Sequence, residues 1–235
     1  MARILDLGCG DGFFSFVLSK RKNNKVIGID LSKESIKIAK KRYPNIEFKV
    51  MDIEKTTFTK AYFDEVYAMD VLEHVDHLND ALNEVERIIK KRGRLIINVP
   101  HPKSEKWLLK IRPSYFKEIH HVRIFKEKEL DSMITKMGFN LVLKKRMGFL
   151  QHLELYFLFK RRINSDKQTS IGSWRDSYLT KTIHAAMLYF DPMVLKTPLA
   201  FFPIWFITLP LGSAINFLGD KVLPKSIYYE FIKKG

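Results

Sequence analysis

The segment DLGCGDG at 6–12 puts glycine at three alternate positions, Gly8, Gly10 and Gly12, between an apolar stretch and the helix-forming run FFSFVLSK. Such a turn lets backbone come within contact distance of a ligand, because glycine has no Cβ and takes positive φ without steric cost. About twenty residues further on, the short apolar segment VIGID ends in Asp30, where a carboxylate can accept hydrogen bonds from both hydroxyls of a ribose. Turn and acid together predict a site for a nucleotide-like cofactor. Later in the chain, His74 follows Asp70 by four residues. It is a side chain that titrates near neutral pH and suits proton transfer.

These residues need elements to hold them. Helical patterns run over 12–21, over 32–43 up to Pro44, over 76–91 up to Gly93, and over 126–138 up to Gly138. In the third, Leu78, Leu82, Val85 and Ile89 share a face and Asp76 is the expected N-cap. FNLVLKK at 139–145 reads as a sixth strand. Strands alternating with helices predict an α/β fold, a parallel sheet covered on both faces.

The dinucleotide fingerprint requires a small residue where this chain has Phe13, which leaves NAD a minor alternative. The pattern D-x-G-x-G-x-G over Asp6, Gly8, Gly10 and Gly12 instead resembles motif I of the class I S-adenosylmethionine (SAM) dependent methyltransferases. The resemblance runs from residue 4 to about 145. IEFKVMDIE at 46–54 looks like that family's third strand, ending in Asp52, FDEVYAMDVLEHV at 63–75 like its fourth, and RGRLIINVP at 92–100 like its fifth. The nearest likeness is to the small-molecule and lipid subgroup that includes the quinone-biosynthesis enzymes.

The resemblance implies a Rossmann-like parallel sheet whose last strand is antiparallel and inserts between strands five and six. Two segments compete for that strand, HLELYFLFK at 152–160 and SIYYEFIKKG at 226–235. The second is preferred, which divides the chain into a core at 1–146, a long helical, apolar insertion at 147–224 and a closing strand at 225–235. The N-terminal helix that commonly covers the cofactor in this family has no room before Ile4. Either the reading frame begins late or the insertion supplies the cover.

By the same resemblance Asp6, Gly8, Gly10 and Gly12 line the amino-acid side of SAM. Asp30 and Leu31 hold ribose and adenine, Asp52 and Ile53 frame adenine, and Asp70 and Val71 close the site from the end of strand four. His74 stands where substrate enters and is the candidate base, the alternative being a helix-start histidine bonded to backbone. His120 and His121 face the same mouth as candidate substrate ligands. No metal site is expected, and Asp64, Glu65, Glu73 and His77 read as strand-edge or capping residues. The tetrapeptide N/D/S-P-P-Y/F/W, usual after strand four in enzymes that methylate nucleobase amino groups, is absent.

Forty-one basic against 26 acidic residues leave a net charge of +15, which favours an anionic surface or substrate, although a lysine-rich genome would produce part of it. The single cysteine, Cys9, excludes an intrachain disulfide. No signal peptide is visible, so the expected location is cytoplasmic. From Thr197 to Gly219 run 23 residues without a charged side chain, long enough for the roughly 20 that a bilayer span needs. Pro198, Pro203 and Pro210 argue against one straight helix. A single complete crossing would also leave the last strand on the wrong side of the membrane. A re-entrant or surface-lying helical hairpin fits better, flanked by Lys160, Arg161, Arg162, Lys181, Lys196, Lys221 and Lys225. The alternative is a hydrophobic cap or dimer interface.

The leading expectation is therefore SAM-dependent methylation of a small-molecule, lipid or lipid-linked acceptor, at a hydroxyl, by an enzyme peripheral to or monotopic at an anionic membrane. A non-catalytic membrane-associated scaffold and an RNA methyltransferase are the alternatives; nucleic acid is not the expected partner.

Overall fold

A computed structural model describes residues 1–147 and 218–235. The elements run β1 (Ala2–Leu7), α1 (Phe13–Ser19), β2 (Asn24–Asp30), α2 (Lys33–Arg42), β3 (Glu47–Val50), β4 (Phe63–Met69), α3 (Leu78–Ile88), β5 (Ile89–Pro100), α4 (Pro102–Ile111), α5 (Tyr115–Ile119), α6 (Glu127–Lys136), β6 (Phe139–Met147) and β7 (Ser226–Lys233). They build a seven-stranded sheet in the order β3-β2-β1-β4-β5-β7-β6. The first five strands are mutually parallel, and β7 runs antiparallel to both β5 and β6. This is the Rossmann-like arrangement expected from the sequence, with SIYYEFIK as the inserted closing strand. The rival segment at 152–160, the apolar stretch and the hairpin expected there lie outside the described residues.

The central strands are buried on both faces and therefore read as continuous apolar runs rather than alternating ones. Ile4, Leu5, Ile29, Val66, Ile96 and Ile97 are all inaccessible. One face packs on α3 and α6 through Leu82, Val85, Leu130 and Ile134. α2 starts at Ser32, whose hydroxyl accepts from the Ser35 N–H at 3.1 Å, an N-cap that satisfies an otherwise orphaned donor.

Arg94 ties the late strand to the early ones. From β5 it donates to Glu230 of β7 at 3.0 Å and to Glu65 of β4 at 3.2 Å, so a single guanidinium spans three strands. β7 is also stitched in at its start, where the His101 N–H donates to Lys225 O at 2.8 Å and the Lys225 N–H to Met147 O at 3.0 Å.

Four boundaries differ from the sequence expectation. α3 covers Leu78–Ile88 instead of 76–91, and Ile89 already belongs to β5. Gly93 sits inside that strand, beside the register shift between Phe63 and Glu65, and does not end the helix. The N-cap position of α3 is His77, whose backbone N–H donates to Glu54 Oε1 at 2.9 Å, so Asp76 is not the cap. β3 ends at Val50, leaving Asp52 on the following loop. Helices α4 and α5, between β5 and α6, had no expectation; the signal available for α4 was Pro102, at home in a first helical turn. Among the described residues no helix is long and apolar enough to cross a membrane.

Candidate active site

In an open α/β sheet the ligand crevice opens where the strand order reverses, at the carboxyl ends of the strands. Here that point lies between β1 and β4, and both the glycine turn and the segment 70–74 hang over it.

The turn is fixed from beneath. The Cys9 N–H donates to Ile29 O at 2.9 Å and the Gly12 N–H to Cys9 O at 3.0 Å. Asp30 spends both carboxylate oxygens on backbone: Oδ2 accepts from the Gly10 N–H at 2.9 Å and Oδ1 from the Ser32 N–H at 2.8 Å. The acid that the sequence assigned to a ribose thus also shapes the turn.

Gly8, Gly10 and Gly12 all have positive φ (64°, 53° and 83°), yet for different neighbours. A Cβ on Gly8 would stand 2.4 Å from Val71 Cγ2, and one on Gly12 would stand 2.7 Å from Phe48 Cζ and 2.9 Å from Ala39 Cβ. A Cβ on Gly10 would meet no atom of the described residues within 4 Å. Gly8 and Gly12 are thus demanded by packing inside the protein. Gly10 alone of the three borders open space, where an approaching ligand can use its backbone.

Asp6 lies behind the turn, 2% exposed, with Ser15 Oγ of α1 donating to its Oδ2 at 2.5 Å. Burial lifts its pKa from 3.8 to about 7, with the nearby Asp30 charge acting the same way and the Ser15 bond opposing it. Burial likewise pushes the Cys9 thiol well above its ordinary range, so it is not a nucleophile. Leu31 is exposed and Ile53 buried, beside exposed Asp52, whose Oδ1 accepts from the Glu54 N–H at 2.9 Å. These three flank the outer end of β2 and the β3 loop.

The far side of the crevice is built by residues 70–74. Asp70 adopts φ 54°, uncommon for a non-glycine residue. Asn98 of β5 holds it, donating through Nδ2 to Asp70 Oδ1 at 2.7 Å, while its carbonyl accepts the Asp70 N–H at 3.0 Å. Asn98 was not singled out in the sequence.

His74 is exposed and His120 sits beyond α5 in the left-handed region. His74 Nδ1 lies 3.0 Å from His120 O; a carbonyl only accepts, so Nδ1 carries the proton and Nε2 keeps its lone pair. Its ring edge lies against His121, 4.7 Å between centroids. That local desolvation lowers its pKa, although much of the residue faces solvent. The alternative reading of His74 as a histidine bonded to backbone is thus realised at one nitrogen, without consuming the other.

His121 is brought to the same place by the Val122 N–H, which donates to Glu73 O at 3.0 Å and clamps the α5 end to the β4 end. His121 Nδ1 lies 2.8 Å from Glu105 Oε2, a residue of α4. Glu73 corrects the sequence expectation: it is not a strand-edge or capping residue but a buried carboxylate, 1% exposed, neither oxygen of which has a hydrogen-bond partner among the described residues. Burial first, then the charges of Asp70 and Glu105, raise its pKa well above the carboxylate range. Glu105, 3% exposed, also escaped the sequence reading.

Sheet order and turn define an open α/β fold with its crevice at the β1/β4 switch point. The family described as Methyltransferase domain matches residues 1–148, and the chain belongs to it. Among curated relatives, a demethylmenaquinone methyltransferase of Chlorobaculum parvum is 33% identical over 117 residues, 50% of this chain and 48% of that protein. A ubiquinone biosynthesis O-methyltransferase of Pelagibacter ubique is 34% identical over 99 residues, 40% of each chain. The chain thus matches about half or less of the length of these relatives. Among solved structures, phosphoethanolamine N-methyltransferase 2 of Haemonchus contortus, in complex with SAM, aligns with a TM-score of 0.62 at 17% identity, over 100% of this chain and 49% of that one. That similarity is one of fold.

Proposed function

We propose that the chain binds SAM at the glycine turn and transfers its methyl group to a hydroxyl of a small-molecule, lipid or lipid-linked acceptor. The observation that carries this reading is the open space over Gly10, whose N–H is held by Asp30 beside it. Adenosine then lies along Leu31, Asp52 and Ile53, Asp30 meets the ribose, and the methionine end lies over Gly8 and Gly10. Membership of the methyltransferase domain family and the quinone methyltransferases among the relatives support the choice of reaction and acceptor class.

The chemistry asks the protein mainly for position, since the sulfonium is an activated leaving group. An oxygen lone pair of the acceptor attacks the methyl carbon in line, the C–S bond breaks and its electron pair stays on sulfur as a neutral thioether. The acceptor's proton departs to solvent through the mouth where His74, His120 and His121 stand. His74, with Nε2 unengaged by backbone, is the group we assign to ease that departure.

The net charge of +15 and the uncharged stretch Thr197–Gly219 favour an acceptor presented at an anionic membrane surface on the cytoplasmic side, with the segment 147–224 as substrate cap or membrane contact. Incubating lipid extracts with isotopically labelled SAM and the protein should yield a labelled, extractable product by mass spectrometry, and label confined to unreacted SAM would defeat the reading. Flotation with anionic liposomes tests the membrane part, where recovery only in the soluble fraction would contradict it.

A further inference from the structure

Glu73, His74 and His121 each offer one ligand atom, and these atoms lie within 4.8 Å of one another. We propose that the three side chains hold a first-row divalent transition-metal ion, Zn²⁺ or Mn²⁺, which takes the acceptor oxygen as a further ligand. The acceptor part rests on the proposed methyl transfer, whereas the cation site stands on its own geometry.

The first argument is the state of Glu73. An ionised carboxylate that is 1% exposed, with only its own backbone N–H to favour the charge and no side-chain donor among the described residues, is costly to hold. A proton alone does not resolve this. The acid O–H would need an acceptor, and His121 Nε2, at 3.9 Å from Glu73 Oε1, is beyond hydrogen-bond reach. Neighbouring Asp70 and Glu105 add negative charge, opposed by Lys225. A divalent cation takes one of the orphaned oxygens and offsets the local charge.

The second argument is the orientation of the two imidazoles. His74 Nδ1 is committed to the His120 carbonyl at 3.0 Å, and His121 Nδ1 to the Glu105 carboxylate at 2.8 Å. Each acceptor fixes the proton on Nδ1 and leaves Nε2 as the electron-pair donor, the role outer partners play for metal-bound histidines. His121–Glu105 reproduces the carboxylate–histidine pair that raises imidazole basicity toward a metal.

One carboxylate and two imidazoles suit a transition metal better than Mg²⁺ or Ca²⁺, which prefer oxygen ligands. Ligands about 2.1 Å from a tetrahedral ion stand about 3.4 Å apart, so the widest separation must contract. His74, on the exposed side, has the freedom to do so. Three protein ligands leave positions open toward the crevice. There an acceptor hydroxyl would lose its O–H proton to water more easily, so that with the ion bound His74 eases this departure as a ligand and not by taking the proton itself, and the acceptor oxygen would stay coordinated while attacking the sulfonium methyl.

The test uses tag-free full-length chain stripped with EDTA, titrated calorimetrically with ZnCl₂ and followed with Mn²⁺ by electron paramagnetic resonance. One saturable equivalent is expected, with affinity lowered at least about tenfold by Glu73→Gln and by His121→Asn, and lowered also by Glu105→Gln. Circular dichroism identifies any variant that fails to fold, in which case exposed His74→Asn carries the comparison. Absence of one-to-one binding of either ion, or affinity unchanged in the folded ligand variants, overturns the site. SAM is titrated into the same samples. SAM binding without metal binding overturns the cation site alone, whereas metal binding without SAM binding overturns the methyl-transfer reading and leaves the cation site standing.

Discussion

Replacing Gly10 and Gly12 separately by alanine should divide ligand binding from folding. Both residues are in the left-handed region, φ 53° and 83°, where an L residue costs about 1–2 kcal/mol relative to glycine. For Gly10→Ala that strain is the expected stability cost, because the new Cβ meets no atom of the described residues within 4 Å. For Gly12→Ala the Cβ would sit 2.7 Å from Phe48 Cζ and 2.9 Å from Ala39 Cβ, adding overpacking of about 1–3 kcal/mol. The melting temperature should then fall by roughly 2–8 °C in the first case and roughly 4–20 °C in the second, at about 2–4 °C per kcal/mol for a chain of this size. Ligand binding should show the reverse order of effect per degree lost. The Gly10 methyl occupies the space assigned to the cofactor and should weaken SAM at least about tenfold, or about 1.4 kcal/mol, in a protein that remains folded. Thermal denaturation and calorimetric titration read the two quantities. A Gly10→Ala protein that binds SAM as tightly as the parent, or one destabilised as much as Gly12→Ala, would refute the assignment of open space to the ligand.

Arg94→Ala should cost about 1–3 kcal/mol in urea denaturation, between the values for exposed and buried ion pairs, because Glu65, Glu230 and the junction of β4, β5 and β7 lose one shared partner; no loss would mean that β7 is held by its ladder alone. Asp6 gives a pH signature. Its carboxyl is raised from 3.8 to about 7 in the folded state, so its contribution to stability is fully present below about pH 4 and is lost as pH rises through about 7, an upper bound of about 4 kcal/mol. Asp6→Asn, which can still accept from Ser15, should therefore remove this slope and raise the melting temperature more at pH 8 than at pH 5; parallel pH profiles for the two proteins would contradict it.

The geometry of the glycine turn and its acid was legible in the residues. Asp6 to Gly12 and Asp30 sit at the ends of adjacent strands, so spacing and composition carried their geometry. The closing strand was legible because SIYYEFIK is apolar enough to be buried on both faces, as Ile227, Tyr229 and Phe231 are. The misread boundaries follow from local ambiguity. Ile89 continues the apolar face of α3 while belonging to β5, and Gly93 resembles a helix stop but sits at a register shift. Glu73 was misread because burial is a tertiary property. Of its neighbours, His121, from the loop after α5, was expected only as a substrate ligand, and Glu105, from α4, was not singled out, so Glu73 by itself looked like a strand-edge or capping residue. The Asn98 side chain that holds Asp70 was hidden for the same reason, as one polar residue inside an apolar strand.

The central claim is that the glycine turn and Asp30 form the SAM site. Calorimetric titration of the full chain with SAM should give one-to-one binding that Asp30→Ala weakens at least about tenfold, since that change removes both the ribose ligand and the acceptor for the Gly10 and Ser32 N–H groups. Equal affinity in the parent and in folded Asp30→Ala protein, or no binding by the parent, would contradict it.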